Sequence, residues 1–400
     1  MKSKKSILIA ALLLLFALGF NLAPERAYAQ QEGDKIYLGE LKKVQSDVLD
    51  EERIILVYTP TGYAQNDLSY PVMYLLDGTG HFHHVTGIID FLTRQGLISD
   101  MIVVALANTD RARDFTPTKD HSNRGNRFET AGGAGNFLKF FEKELLPYIG
   151  ENYRVKDYNI LVGHSFGGLF TINALLAEPE LFDAYIAASP TFWWDDHYLA
   201  RKARSFFKDH PDLRKFLYMT LGDEGELMLE GVERFTLLLE NEAPEGLDWH
   251  YEYMEDEDHG SVPHLTVYNA LRVLYDGWEL PAALLDSTVA AVHDHYAILS
   301  KRFGYEISIP EAVLNIMGYQ ALGREDFERA IKIFRLNVQR HPNSANVYDS
   351  LGEGYEAMGE FRKARENYAI AVEKGEKMGD PNLPLYRQHL KNMQEQIGVQ

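Results

Sequence analysis

The stretch that decides the fold is Asn159-Ile-Leu-Val-Gly-His-Ser-Phe-Gly-Gly168, followed by the mostly apolar segment Leu169–Ala177. Its apolar start predicts a short strand buried on both faces, and the run after it has the spacing of a helix. The G-x-S-x-G pattern between them predicts a sharp turn, because Gly163 and Gly167 leave room where a Cβ would collide. The N–H groups at the start of the helix can receive developing negative charge. The sequence therefore predicts a nucleophilic Ser165.

The composition of the chain excludes several kinds of site. The 400 residues are 46% hydrophobic, which is enough for one large domain and a smaller one. There is no cysteine, so a cysteine nucleophile, zinc–thiolate sites, disulfides and a lipoprotein anchor are all excluded. The formal net charge of −19 disfavours binding of nucleic acid or of anionic membranes through the general field of the protein.

Residues 1–29 have the pattern of a signal peptide. Three lysines form a basic start, residues 7–20 are apolar, and Ala27-Tyr28-Ala29 resembles a cleavage site. The apolar run is short for a helix that spans a membrane, although an uncleaved anchor is the alternative interpretation. We expect cleavage after Ala29, a secreted or periplasmic protein, and no stable membrane insertion after cleavage.

The next part of the chain, residues 30–280, alternates apolar strand-like runs with helical patterns. This alternation predicts a doubly wound, mostly parallel sheet of the α/β class. In such sheets the reactive loops gather at the carboxyl ends of the strands. The predicted strands are 37–48, 52–58, 70–76, 101–107, 160–162, 184–189, 215–221 and 248–254.

A serine nucleophile needs a base, and the base needs an acid that fixes its tautomer. His259 follows the last predicted strand and is our candidate for the base. The segment after the preceding strand offers Glu224 as the preferred acid and Glu226 as the alternative. Two backbone N–H groups are predicted to form the oxyanion hole, that of Phe166 and that of Thr79 in a loop after the strand 70–76.

Other polar and aromatic residues at strand ends are candidates for substrate binding. Trp193 and Trp194 predict either an exposed substrate wall or a loop packed on the core. Arg111, in a long polar loop, could bind an anionic substrate or pair with its acidic neighbours to fix that loop.

Three histidines near residue 81 (His81, His83 and His84) raise the question of a metal site. Two of them are adjacent and no acidic ligand is close in the sequence, so we expect histidines near a cleft rather than metal ligands. We predict no metal and no cofactor, because a serine mechanism requires neither.

Several segments together resemble the esterase family of α/β-hydrolases that includes enterobactin-hydrolase-type siderophore esterases and relatives of esterase D. The segments are 71–78, 111–117, 163–168, 189–194 and 258–263. The resemblance covers residues 35–278 and implies a serine carboxylesterase with Ser165 and His259 in its site. It leaves open which glutamate is the acid, or whether a dyad acts alone, and it does not specify the substrate.

The remaining chain reads as a second, all-α module. Residues 281–312 are predicted to form a helical connector, and residues 313–400 two tetratricopeptide-like repeats with a capping helix. Gly318, Ala321, Ala330 and Phe334 recur 34 residues later as Gly352, Tyr355, Ala364 and Tyr368. The module is either a surface for a protein partner or self-association, or a structural appendage.

Three functions are therefore compatible with the sequence. The first is an exported serine carboxylesterase that hydrolyses small or siderophore-type esters through an acyl-enzyme. The second is an esterase for acyl-sugar or feruloyl groups of polysaccharides. The third is a non-catalytic binding protein that uses its repeats. The intact serine turn favours the first two, because a binding scaffold has no need of a strained nucleophile.

Overall fold

The structure is a computed structural model that describes residues 37–122 and 124–398. The predicted signal peptide, residues 1–29, lies outside the described residues. The chain divides into two compact units at the boundary between Glu279 and Leu280.

The first unit is built on an eight-stranded sheet in the order β1-β2-β4-β3-β5-β6-β7-β8. β1 and β2 alternate buried and exposed residues, as expected where one sheet face meets solvent. β3, β4, β6 and β7 are buried throughout, because helices cover both faces there. The strands are β1 Glu40–Ser46, β2 Glu51–Tyr58, β3 Tyr70–Leu75, β4 Ile102–Leu106, β5 Val155–His164, β6 Ala184–Ala188, β7 Phe216–Gly222 and β8 Asp248–Met254.

The sheet is antiparallel at one side and parallel elsewhere. β1 pairs with β2, and β2 with β4, in antiparallel register, whereas the pairs from β4 through β3 and β5 to β8 are parallel. The carboxyl ends of β3, β5, β6, β7 and β8 therefore meet at one edge of the sheet. The predicted α/β-hydrolase-type sheet is confirmed.

The helices pack on the two faces of this sheet. α1 packs against α8, and α6 contacts both α5 and α7. The helices of this unit are α1 Gly78–Arg94, α2 Arg111–Phe115, α3 Ala134–Phe140, α4 Leu146–Asn152, α5 Phe166–Ala177, α6 Trp194–Asp209, α7 Glu226–Glu242 and α8 Val262–Leu274. A π-helical segment, Phe141–Leu145, joins α3 to α4.

The polar segment after β4 is more ordered than its sequence pattern suggests. It contains α2, and buried Asp114 accepts hydrogen bonds from Arg53 at 2.7 Å and from Arg113 at 2.7 Å. Because Arg53 comes from β2, the ion pair fixes the segment to the sheet. The segment is ordered by this long-range ion pair, and its sequence therefore has no apolar periodicity that would indicate a helix.

The second described unit, residues 280–398, is all helical. Its first two helices fall in the predicted connector, and the next four form two antiparallel pairs. The helices are α9 Ala282–Leu285, α10 Val289–Phe303, α11 Glu311–Gly323, α12 Phe327–Arg340, α13 Ala345–Ala357, α14 Phe361–Met378 and α15 Leu383–Gly398.

The two pairs repeat one contact at the spacing of 34 residues. A Cβ on Gly318 would lie 2.4 Å from the ring of Phe334, and one on Gly352 would lie 2.5 Å from the ring of Tyr368. Each glycine thus lets an aromatic ring of the paired helix approach its backbone. Glu325 departs from the glycine found 34 residues later, yet it has the same left-handed backbone, with φ 62°. The tetratricopeptide-like classification stays a prediction.

In the part of the chain that the structure describes, no helix has both the length and the apolar character required to cross a membrane.

Candidate active site

Ser165 occupies a strained turn between β5 and α5. Its φ of 60° and ψ of −115° lie outside the regions that residues with a side chain favour, at a cost of order 1–3 kcal/mol. A Cβ at Gly163 would lie 2.2 Å from the Gly167 carbonyl oxygen, so only glycine fits there. The strained geometry is that of a serine held clear of the sheet edge.

The main chain of this turn is fixed to the neighbouring strand. The Ser165 N–H donates to the Ala188 carbonyl at 2.9 Å, at the end of β6, and the Leu169 N–H donates to the Ser165 carbonyl at 2.9 Å. The position of Ser165 is therefore set by both the sheet and the helix.

Glu224 and His259 form an acid–imidazole pair at the same edge. Glu224 follows β7, and its Oε2 is in hydrogen-bond contact with Nδ1 of His259. Its Oε1 accepts hydrogen bonds from the Ser189 hydroxyl and, at 3.1 Å, from the Gly222 N–H. The Glu224 side chain is 3% exposed, whereas that of His259 is 44% exposed. The acid is thus buried and the base reaches the surface.

The environment of Glu224 favours its charged form. Burial acts to raise the pKa of the carboxyl, but the hydrogen bonds from His259 and Ser189 outweigh burial and leave the pKa below its usual value. The alternative acid, Glu226, is exposed at the first position of α7. The structure therefore brings Glu224, rather than Glu226, to His259.

The loop that carries His259 is held by its own short hydrogen bonds. Asp258 Oδ1 accepts from the N–H of Gly260 at 2.8 Å and from that of Ser261 at 2.9 Å. These backbone hydrogen bonds lower the pKa of Asp258. The Asp223 N–H donates to the Glu257 carbonyl at 2.7 Å, which ties this loop to the end of β7.

A row of histidines lies behind His259. The ring of His164 packs on that of His259, and the ring of His81 lies edge-on to that of His164, with centroids 5.7 Å apart. His81 Nδ1 and His84 Nε2 are 2.9 Å apart, and His264 follows, 5.3 Å from His84. Burial, then the neighbouring histidines, lower the pKa of His84 to about 4. His84 is therefore uncharged at neutral pH.

This row does not have the geometry of a metal site. Among the residues that the structure describes, His81, His83 and His84 do not belong to a group whose donor atoms lie close enough together to share one ion. Two of them face each other instead, and His83 is exposed.

The two predicted oxyanion donors both lie at helix starts. Phe166 is the first residue of α5, and Thr79 is the second residue of α1. The segment around Thr79, predicted as a loop, is the first turn of a helix. A Cβ at Gly78 would lie 2.7 Å from the backbone of Ala105 in β4, so glycine allows this helix to begin against the sheet. The first N–H groups of both helices have no intrahelical partners.

Arg111 links the two helix starts. Its Nε donates to Asp77 Oδ1 at 2.7 Å, and one terminal nitrogen donates to Asp77 Oδ2 at 3.1 Å and to the His164 carbonyl at 2.9 Å. Asp77 precedes α1 and His164 precedes Ser165, so the guanidinium connects the turns that carry both predicted oxyanion donors. The guanidinium also lies 5.4 Å from the ring centroid of Phe166. Contact of Arg111 with a substrate stays a prediction.

The tryptophan pair is only partly at the surface. Trp194 is fully buried, and its indole N–H donates to the Thr118 carbonyl at 3.1 Å, so the expectation of an exposed Trp194 in a substrate wall is wrong. The Trp194 ring packs edge-on against the ring of Phe166, the residue that follows Ser165. Trp193 is partly exposed, with its centroid 6.5 Å from that of Phe166, and its contact with a substrate stays a prediction.

Three further residues of the site have no role among those predicted from the sequence motifs. They are Ser189, which donates to Glu224; Asp77, which binds Arg111; and His164, which packs on His259. Each lies at or just beyond the end of a strand, which is the signal that could have found them. Asp77 and Ser189 also have positive φ, at 53° and 43°, which a sequence does not reveal.

The chain is similar to known esterases in sequence. Residues 46–239 match the family model described as "Putative esterase". The chain is 33% identical to the ferri-bacillibactin esterase BesA of Bacillus subtilis over 153 residues, which are 34% of this chain and 53% of that protein. It is 36% identical to the siderophore enterobactin esterase of Emericella nidulans over 120 residues, 26% of this chain and 40% of that protein. The matches thus span about half the length of these curated relatives or less.

A solved structure covers a larger part of the chain. The IroE-like serine hydrolase from Shewanella oneidensis is 31% identical, with a TM-score of 0.67 over 75% of this chain and 99% of that one. Together the likenesses support an esterase function.

Proposed function

We propose that this chain, which belongs to the esterase family of α/β-hydrolases, is a serine carboxylesterase that hydrolyses small or siderophore-type esters. The observation that carries the proposal is the contact of buried Glu224 with His259, at the sheet edge where Ser165 occupies its strained turn. A charged acid, an imidazole and a serine on neighbouring strand ends are the parts that acyl transfer needs.

The first half-reaction forms an acyl-enzyme. The Ser165 hydroxyl oxygen attacks the ester carbonyl carbon while His259 takes the hydroxyl proton, and Glu224 stabilises the imidazolium. The N–H groups of Phe166 and Thr79 receive the negative charge of the tetrahedral oxyanion. When the intermediate collapses, the bond to the alcohol oxygen breaks and His259 returns the proton to that leaving oxygen.

The second half-reaction releases the acid. Water attacks the acyl carbon while His259 takes its proton, and collapse of the new tetrahedral intermediate breaks the bond to Ser165. The proton passes from His259 to the serine oxygen. The products are the alcohol, the carboxylic acid and the unchanged enzyme.

The names of the relatives support the substrate class. Two curated relatives are esterases of bacillibactin and enterobactin. Burial of Trp194 removes one of the two rings that the acyl-sugar alternative would use for stacking, which favours the siderophore-type ester. The predicted signal peptide supports export as part of the same proposal, and the helical unit remains a candidate surface for a partner.

Labelling with a fluorophosphonate probe tests this proposal. We expect an adduct on the peptide that contains Ser165, with no adduct in Ser165→Ala and little in His259→Ala, because the probe requires an activated serine. Hydrolysis of a cyclic trilactone, compared with a feruloyl sugar ester, then separates the two substrate classes. Folded protein that takes no label and hydrolyses neither ester would contradict the proposed esterase activity.

A further inference from the structure

Three side chains that can bind metal ions converge in the helical unit. Donor atoms of Asp349, Glu353 and His389 all lie within 4.8 Å of one another. The two acids are four residues apart on α13 and therefore lie on one face of it, and the histidine comes from α15. The set joins two helices that are not neighbours in sequence.

Acidic side chains outnumber basic ones in this cluster. The Asp349 side chain is 4% exposed and Glu353 is only partly exposed, so two carboxylates share a site that is mostly out of water. Within the described residues, neither acid forms an ion pair with a lysine or an arginine; Asp349 pairs with His389. The His389 ring nitrogen Nδ1 lies 3.0 and 3.1 Å from the two Asp349 oxygens. These separations match those of two ligands side by side on one ion.

Neighbouring groups orient the cluster from outside. The Tyr319 hydroxyl donates to Glu353 Oε1 at 3.1 Å and also contacts the Ser350 hydroxyl at 3.0 Å. The ring of Tyr368 lies 5.3 Å from that of His389. Metal ligands in proteins are commonly held by such an outer set of contacts. The His389 side chain keeps 22% of its surface exposed, which gives an ion a way in.

We propose that Asp349, Glu353 and His389 bind one divalent first-row transition metal ion, of the Zn²⁺ or Mn²⁺ type. Two carboxylate oxygens neutralise its charge, and an imidazole nitrogen is a ligand that Mg²⁺ and Ca²⁺ disfavour. Adjacent ligands on such an ion lie about 3–3.5 Å apart when each bond is roughly 2.1 Å. Binding would therefore draw the three donor atoms, which lie within 4.8 Å of one another, closer together.

The bound ion would link α15 to α13, because its ligands come from both helices. Two small clusters of buried residues help to hold the last helix, one of them Ala345, Ala371 and Tyr386 and the other Ala364, Tyr368 and Met393. An ion that binds the folded unit alone stabilises it in proportion to its affinity and concentration.

The experiment uses the full chain after treatment with a chelator. Binding of Mn²⁺ is followed by loss of its free-ion electron paramagnetic resonance signal, and Zn²⁺ by calorimetry, with Mg²⁺ and Ca²⁺ as reference ions. The variants Glu353→Gln and His389→Gln keep the shape of each side chain and remove a ligand. His293→Gln is the matched control, because this exposed histidine also lies beside an acid, Asp294, in the same unit.

We expect one equivalent of Mn²⁺ or Zn²⁺ on the wild type and on His293→Gln, with binding at least tenfold weaker in the two ligand variants. Zn²⁺ should raise the Tm of the helical unit in the first two proteins only. Absence of binding by the wild type would overturn the proposal. Unchanged stoichiometry and affinity in both ligand variants would also overturn it, by placing the ion elsewhere. Asp349→Asn provides a third variant if one of the others fails to fold.

Discussion

The imidazole ring of His164 lies on that of His259, with centroids 4.5 Å apart and planes inclined by 45°. His164 ends β5 and directly precedes Ser165, so one residue of the nucleophile turn supports the ring of the proposed base. Burial, followed by the charges of His259 and His81, lowers the pKa of His164 to about 4. His164 therefore presents an uncharged face to His259 at neutral pH.

Removal of this ring should affect turnover more than substrate binding. In His164→Leu we expect kcat to fall about tenfold with KM nearly unchanged, because the His259 ring loses its flat neighbour and part of its orientation. Steady-state kinetics with a chromogenic ester measure both constants. His83→Leu is the control, since His83 is exposed on α1. Equal effects in the two variants would refute a positioning role for His164.

The acid can be identified with one matched pair of variants. Glu224→Gln should lower kcat by roughly 10²–10⁴-fold, because a neutral amide cannot stabilise the imidazolium of His259. Glu226→Gln should stay within about twofold of the wild type, since Glu226 is exposed on α7. Activity and circular dichroism of both proteins are the measurements. Wild-type turnover in Glu224→Gln would mean that the enzyme works with a dyad.

The two interpretations of Arg111 predict different kinetic constants. Arg111→Lys loses the bidentate hydrogen bonding to Asp77. If Arg111 serves to hold the loop in place, we therefore expect kcat to fall several-fold at constant KM. A role in binding an anionic substrate predicts a higher KM that depends on the charge of the substrate. The comparison needs one neutral and one anionic ester. Arg113→Lys is the control, because Arg113 pairs with Glu51 and Asp114.

The nucleophile turn has no room for a methyl group at its first glycine. Gly163→Ala should destabilise the protein by about 2 kcal/mol or more, because its Cβ would lie 2.2 Å from the Gly167 carbonyl. Gly87→Ala, where no atom lies within 4 Å of the new Cβ, should instead stabilise α1 by about 0.5–1 kcal/mol. Urea unfolding of the three proteins gives the comparison. A stable, active Gly163→Ala protein would contradict the assigned packing of this turn.

The histidine row should make stability depend on pH. The folded-state pKa values of His84 and His164 are about 4, below the ordinary histidine value of 6.5, so the unfolded chain binds more protons between these limits. The free energy of unfolding should therefore be highest above pH 6.5 and fall as the pH is lowered from 6.5 to 4. Urea midpoints at pH 7, 6 and 5 measure this.

The variant His84→Leu, which cannot take up that proton, should show a smaller loss of stability over the same range. A steeper loss in the variant would show that the histidine row is not the cause.

The sequence predicts those parts of the site that depend on local pattern. The glycines around Ser165 and the residues that follow each predicted strand are such local patterns, and they predict that Ser165, Glu224 and His259 lie at one edge of the sheet. The contact that selects Glu224 over Glu226 is not local, because it depends on how β7 and β8 align and on where α7 begins. Burial of Trp194 follows from Phe166 and from the carbonyl of Thr118, which is 76 residues away.

The order of the strands also has a consequence for synthesis of the protein. His259 follows β8, which is an edge strand and the last strand to be made, whereas Ser165 and Glu224 follow strands made before it. A growing chain can complete the serine turn while it still lacks its base. The proposed hydrolytic activity would therefore appear only after the final strand has joined the sheet, and a half-made chain would carry an unactivated serine.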